Sequence, residues 1–260
     1  MFIMQDLSVT LIQSALYWEN PTANLAMFEE KIAQITTPTD LIVLPEMFST
    51  GFTMNTQVAE PMNFTTFKWM KQQAKQTKAV VLGSVMIHEN GKNFNRLIWM
   101  QPDGNYQYYD KRHLFRMGEE HLYFTEGNSR LITELKGWKI CPLICYDLRF
   151  PVWARNVNQA YDVLIYVANW PAARSHPWNT LLLARAIENQ SYTIGVNRVG
   201  TDGKDYAFSG DSAAINYKGE YLYYQKDQEE VHTVVLSKQD LVNFRTQFPA
   251  YLDADSFVIQ

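Results

Sequence analysis

Short apolar runs alternate with amphipathic stretches along most of the chain, which is the pattern of strands alternating with helices. Ser8–Gln13 alternates with period two and reads as a strand. Asn20-Pro21 then offers an N-cap with proline at the first helical position, followed by Leu25, Phe28, Ile32 and Ile35 at helical spacing. Leu41–Leu44 is wholly apolar and is stopped by Pro45, as expected of a strand buried on both faces. A helix over 62–77 and a strand at Ala79–Ile87 follow, with turns at Glu89-Asn90-Gly91-Lys92 and Pro102-Asp103-Gly104.

In the second half, Trp138–Ile144 reads as a strand with one conflict, Pro142, which has no N–H to give to a ladder. Phe150–Gln159 reads as helical and Val163–Ala168 as an apolar strand. Pro177–Gln190 reads as a helix entered at Ser175 or His176. Tyr192–Asn197, Ala213–Tyr217, Tyr221–Gln225 and Val231–Leu236 read as strands, separated by turns at Asp202-Gly203 and Lys218-Gly219. A helix over 238–246 leads into an irregular tail from about 247. No repeat, linker or low-complexity stretch interrupts the pattern, so 1–260 is expected to be one α/β domain.

Composition narrows the partners. With 260 residues, 47% hydrophobic and 14% aromatic, the chain can bury a large core without metal or disulfide support. A net charge of −4 gives no electrostatic case for nucleic acid or an anionic membrane. No apolar run reaches the roughly 20 residues of a membrane span. The first residues lack a basic n-region and carry Asp6, so they do not read as a signal peptide. The two cysteines, Cys141 and Cys145, would lie about 13 Å apart along a strand, beyond the roughly 7 Å limit of a disulfide. Two unpaired thiols suit a reducing cytoplasm. Their spacing, with no second Cys/His cluster, makes a poor zinc site, so no metal is expected.

Three residues share one local context: each ends a strand, where α/β proteins collect reactive groups. Glu46 follows Leu41–Pro45, Lys111 follows Tyr106–Asp110, and Cys145 follows Trp138–Ile144 ahead of an expected helix. Taken singly, Glu46 and Lys111 are unremarkable charged residues closing strands, and Cys145 a buried thiol. Together they could form a reacting set. A carboxylate in the apolar company of Leu44, Pro45, Met47 and Phe48 can serve as a base. A thiol then becomes a nucleophile, favoured by a helix N-terminus. An ammonium, with the Tyr146 backbone N–H, can hold an oxyanion.

The segments Leu44-Pro45-Glu46-Met47-Phe48, Tyr109-Asp110-Lys111-Arg112-His113-Leu114-Phe115 and Leu143-Ile144-Cys145-Tyr146-Asp147-Leu148-Arg149-Phe150-Pro151 resemble, in order and spacing, the three motifs of the nitrilase (carbon–nitrogen hydrolase) superfamily. Arg185–Gln190 and Gly210-Asp211-Ser212 extend the likeness across nearly the whole chain. The resemblance implies a four-layer αββα sandwich of the nitrilase type, a Glu46-Lys111-Cys145 triad acting without a cofactor, and a homodimer or higher homo-oligomer. Met47–Phe52, His113–Met117 and Val167–Pro171 are similar to the bacterial omega-amidase branch, which hydrolyses the terminal amide of 2-oxoglutaramate and 2-oxosuccinamate through a cysteine thioester. The family's supporting glutamate falls on Glu120, with Glu119 the alternative.

A small 2-oxo acid amide carries a carboxylate at its far end, for which arginine is suited. Arg116 and Arg174 are the expected clamp, with Phe52 and Trp170 as walls. Other substrates would be served by the same triad: a nitrile, an N-carbamoyl amine or an aliphatic amide. A non-catalytic ligand-binding or scaffold protein is the reading from another class. His113, His121 and His176 are scattered and make a poor Cys–His site. Asp147 and Arg149 are expected to pair behind the cysteine, and Arg185 and Glu188 along a helix face. No glycine-rich nucleotide loop occurs.

Overall fold

A computed structural model describes residues 5–255 and 257. Its strands are β1 (Leu7–Gln13), β2 (Leu41–Val43), β3 (Val80–Glu89), β4 (Lys92–Met100), β5 (Tyr106–Asp110), β6 (Thr133–Leu135) and β7 (Trp138–Ile144). They continue as β8 (Val163–Val167), β9 (Tyr192–Val196), β10 (Val199–Thr201), β11 (Ala207–Ile215), β12 (Tyr221–Lys226) and β13 (Glu230–Leu236). The helices are α1 (Pro21–Ala33), α2 (Thr65–Thr77), α3 (Glu120–Tyr123), α4 (Pro151–Ala154), α5 (Ser175–Asn189) and α6 (Lys238–Gln247).

The strands form two mixed sheets, ordered β13-β1-β2-β3-β4-β5 and β10-β11-β9-β8-β7-β6, with β12 beside β11. The two-residue side-chain period of a strand sorts each apolar run between two layers. Leu41, Val43, Val80 and Leu82 face the second sheet and pack in one core with β7, β8 and β9. Their alternates Ile42, Val81 and Ile98 pack outward on Phe28 and Ile32 of α1 and Met70 and Ala74 of α2. On the far side, α5 lies on β9 and β11. The result is the expected αββα sandwich.

Most local signals are realised. Asn20 caps α1, its side chain accepting from the Ala23 N–H at 3.1 Å. Asn90 and Gly91, both with positive φ, make the two-residue turn between β3 and β4. Pro142 is accommodated because β6 pairs only with residues 138–140, so β7 at that height is bound to β8 alone.

Some expectations are corrected. Helix α2 begins at Thr65, not 62, and α1 stops at Ala33, short of Ile35. The expected helix Phe150–Gln159 is broken: α4 holds four residues, Arg155 is extended and Asn158 is left-handed. The cause is Asn156, whose buried side chain accepts from the Tyr161 N–H and donates to the Tyr161 and Asn189 carbonyls, competing with helical pairing. Strand β4 fills the stretch between the two expected hairpin turns, while β6, β10 and helix α3 have no counterpart among the expected elements. The tail carries a 3-10 turn at Ala250–Asp253; residues 256 and 258–260 lie outside the described residues.

Candidate active site

Strands β2 and β5 run in the same direction, because β4 reverses the chain twice between β3 and β5. Their carboxyl ends therefore share one edge of the first sheet, and the carboxyl ends of β7 and β8 meet it across the sandwich. Glu46 lies just beyond β2, Lys111 at the end of β5, Cys145 at the end of β7 and Asn169 just beyond β8. The turn carrying Glu46 is held by Met47 (φ +41°), whose N–H bonds Ser84 Oγ at 2.8 Å. Gly83 permits this approach: a Cβ there would meet Phe48 Cδ1 at 2.8 Å. Cys145 is itself left-handed (φ +42°), a conformation costly to a non-glycine residue unless its surroundings fix it.

The four groups form one buried cluster. Lys111 Nζ donates to Glu46 Oε1 at 2.8 Å and to Glu120 Oε1 and Oε2 at 3.1 and 2.9 Å. Asn95 Nδ2 bridges the two carboxylates, 2.8 Å from Glu46 Oε1 and 3.0 Å from Glu120 Oε1. The Asn169 N–H donates to Glu46 Oε2 at 2.8 Å and its amide to the Glu46 carbonyl. The Phe115 N–H donates to Glu120 Oε2 at 2.6 Å. The Cys145 thiol borders the same cavity beside Glu46, near enough for the carboxylate charge to act on it. Glu46 thus sits among donors rather than in the apolar company its neighbours suggested.

Charge follows from this packing. Burial raises the Cys145 thiol well above its ordinary pKa, and the Glu46 charge adds to the rise, with Lys111 opposing. The resting group is therefore a protonated thiol. Burial alone would lower Lys111, but the charges of Glu120, Glu46 and Cys145 outweigh it and hold the ammonium above its ordinary pKa. Glu120 is raised by burial and by Glu46, against the pull of Lys111. The helix expected after Cys145 is a five-residue 3-10 turn, Cys145–Arg149, too short to carry a sizeable dipole. Its first turn does leave the Tyr146 N–H without an internal acceptor.

The cluster floors a cavity of about 230 Å³. Phe52 and Trp170 stand in its walls with Phe115, Tyr146 and Phe208, and Arg149, Arg174 and Lys204 bring positive charge to it. The Lys111 ammonium lies 5.2 Å from the Phe52 ring centre, Arg174 5.3 Å from Phe115 and Arg149 5.0 Å from Trp170.

Of the expected residues, Glu120 enters the buried cluster, while left-handed Glu119 is exposed at the cavity rim. Arg116 does not reach the cavity. It is exposed on the 3-10 turn Arg116–Gly118, whose next residues, Met117 and Gly118, border the cavity mouth, Met117 itself largely exposed. None of His113, His121 and His176 lines the cavity. Asp147 does not pair with Arg149: its carboxylate binds His113, Tyr109 and the Ile144 N–H, while Arg149 turns toward Trp170. Arg185 and Glu188 do pair, at 2.8 Å, and Arg185 also donates to the Leu148 carbonyl.

Sequence reasoning missed two members of the cluster. Asn169 could have been found, since it ends the strand Val163–Ala168 as Glu46 ends its own. Asn95 had no local signal. Among the described residues, no group of three or more His, Cys, Asp or Glu side chains is arranged to hold a metal ion.

The geometry has counterparts in known proteins. The model of the carbon–nitrogen hydrolase family matches residues 8–246. An omega-amidase YafV of Escherichia coli K12 is 46% identical over 255 residues, covering 98% of this chain and 99% of that protein. A 2-oxoglutaramate amidase of Bacillus subtilis is 31% identical over 95% of this chain and 96% of its own. The crystal structure of XC1258 from Xanthomonas campestris, a CN-hydrolase superfamily protein with an arsenic adduct in its active site, superposes with a TM-score of 0.97. It is 43% identical and covers 99% of this chain and 100% of its own.

Proposed function

The chain belongs to the carbon–nitrogen hydrolase family, and from that premise we propose that it is an omega-amidase. It hydrolyses the terminal amide of small 2-oxo dicarboxylic acid monoamides, 2-oxoglutaramate and 2-oxosuccinamate, to the acid and ammonia. The observation that carries the reading is the cavity floor, where the Cys145 thiol sits beside Glu46, a carboxylate that shares Lys111 with Glu120. The similarity to an omega-amidase and a 2-oxoglutaramate amidase supports the substrate class.

In this reading Glu46 takes the thiol proton as Cys145 Sγ attacks the amide carbon. Lys111 and the Tyr146 N–H stabilise the oxyanion. Glu46 returns the proton to the departing nitrogen, releasing ammonia and leaving a thioester on Cys145. Water, deprotonated by Glu46, attacks the thioester; the acid leaves and Sγ regains its proton. Glu120 and Asn95 keep Lys111 and Glu46 in place. Arg174, joined by Arg149, holds the substrate's far carboxylate, with Phe52 and Trp170 as walls.

A cytoplasmic setting and a homo-oligomer belong to the same proposal. Both cysteines are free thiols, and no helix among the described residues is long and apolar enough to cross a membrane. Ile187 and Phe248, both exposed, border one surface cavity lined mostly by polar residues and would supply its apolar contacts to a second copy.

The test is ammonia release from 2-oxoglutaramate, an aliphatic amide, an N-carbamoyl amine and a nitrile, measured side by side. The highest kcat/KM is expected on 2-oxoglutaramate, with Cys145→Ala lowering it about a thousandfold or more. Preference for another compound overturns the substrate assignment. An active Cys145→Ala protein overturns the chemistry.

A further inference from the structure

Behind the cavity, one carboxylate ties the cysteine's segment to the lysine's. Asp147 is fully buried and accepts four hydrogen bonds. Its Oδ1 takes the His113 N–H at 3.0 Å and His113 Nδ1 at 2.7 Å. Its Oδ2 takes the Tyr109 hydroxyl at 2.8 Å and the Ile144 N–H at 3.0 Å. The Tyr109 oxygen accepts in turn from the Arg112 N–H and from Trp153 Nε1, each at 3.1 Å. The His113 ring lies flat on Phe150, centroids 3.7 Å apart.

The donors are placed on both sides of two positions only. Ile144 precedes Cys145, and Asp147 itself lies in the turn that follows it. Tyr109, Arg112 and His113 bracket Lys111. We infer that the Asp147–His113 pair is a positioning device for the amidase reaction, fixing the left-handed Cys145 at its working distance from Lys111 although neither residue lines the cavity. The inference rests on the reading of Cys145 and Lys111 as reacting groups. Strained backbone persists only where its surroundings over-determine it, and the Asp147 carboxylate is what spans the two segments. His113 supplies two of its four bonds.

Displacement of a nucleophile by about 1 Å costs about a hundredfold in rate, so the link is readable in turnover. Two variants separate it from simple packing. His113→Phe keeps a flat ring against Phe150 but removes the side-chain donor to Asp147. His113→Asn gives up the stacking but presents an amide N–H near the place of Nδ1. We expect His113→Phe to lower kcat about ten- to a hundredfold with KM changed less than about twofold, and to slow alkylation of Cys145 by iodoacetamide in parallel. His113→Asn should recover kcat to within about threefold of the parent. A His113→Phe protein with parental kcat, a loss confined to KM, or a His113→Asn protein no better than His113→Phe overturns the inference. Cys145→Ala, assayed alongside, keeps the two readings apart: if it is inactive while His113→Phe is unimpaired, only the positioning role falls.

Discussion

Replacing Asn95 by alanine removes a single amide that serves both buried carboxylates. Asn95 is fully buried, and its Nδ2 spans Glu46 Oε1 and Glu120 Oε1. A hydrogen bond to a charged group contributes about 1.5–3 kcal/mol, so the two together contribute roughly 3–6 kcal/mol. Its Oδ1 has no partner, and removing that buried acceptor returns about 1–3 kcal/mol. The net loss is about 2–3 kcal/mol. At about 2–4 °C per kcal/mol for a chain of this size, Tm should fall by roughly 4–12 °C. Turnover should fall about tenfold or more, because Glu46 Oε1 is left with Lys111 as its only donor and can rotate off the thiol. Asn95→Asp should be worse on both counts, since it sets a third carboxylate against one ammonium. Thermal unfolding followed by circular dichroism and ammonia release at saturating 2-oxoglutaramate measure the two effects. An Asn95→Ala protein melting within about 2 °C of the parent with undiminished turnover would refute the shared-amide account.

Three further outcomes are expected. Glu46→Gln removes a charge that raises the Cys145 pKa, so more thiolate is present at pH 8; alkylation of Cys145 by iodoacetamide should speed up while amide turnover falls about a hundredfold or more. A Glu46→Gln protein that kept parental amide turnover would count against Glu46 as the base. Cys141 is pushed by burial from 9.0 up to about 12. Between those values the unfolded chain sheds a proton that the folded chain keeps, so stability falls as pH rises, by about 1.4 kcal/mol per pH unit. Denaturant midpoints from pH 8 to 11 should show that decline, and Cys141→Ala should flatten it by that amount. Arg174→Lys should raise KM for 2-oxoglutaramate about tenfold by losing the planar fork, with kcat nearly constant, whereas Arg116→Lys should leave KM unchanged.

The layers were legible because burial on both faces writes itself into short apolar runs such as Leu41–Leu44 and Val163–Ala168, and tight turns into Asn90-Gly91 and Lys218-Gly219. Strand-end position alone leaves Glu46, Lys111 and Cys145 ordinary; the three motifs resembling the carbon–nitrogen hydrolases single them out, and the sandwich brings those strand ends to a common edge. What escaped the sequence depends on contacts made across the fold. Asn95 is one polar residue inside β4, and it becomes a bridge only because the segments after β2 and β5 bring Glu46 and Glu120 to it. Asp147 stands two residues from Arg149, a spacing that suggests a pair, yet the donors converging on it come from residues 109–113 of the opposite segment and from the Ile144 N–H beside it. The helix anticipated to Gln159 fails for the same kind of reason, since Asn156 finds partners at Tyr161 and Asn189 that periodicity does not register. Arg116 and Arg174 look alike in the sequence as carboxylate clamps; a one-turn 3-10 segment sends the first to solvent.

The arrangement also explains why one lysine is shared by two glutamates in so dry a place. Before the proposed attack the cluster holds Glu46 and Glu120 as carboxylates, Lys111 as an ammonium and Cys145 as a neutral thiol, a net charge of about −1. When the thiol proton passes to Glu46 and sulfur bonds to carbon, the negative charge moves onto the amide oxygen and Glu46 becomes neutral. The total is unchanged, and the charge stays beside the same ammonium. A buried ion left without a partner costs several kcal/mol, and at no point along this path does one arise. Glu120 makes this possible. As Glu46 loses its charge, the bidentate contact from Glu120 still keeps Lys111 protonated, leaving the lysine free to follow the oxyanion. With glutamine at position 120, Lys111 would depend on Glu46 alone and be least firmly charged at the moment the oxyanion needs it. The second carboxylate therefore acts on the barrier, not on the resting state alone, and its loss should appear in kcat rather than in KM.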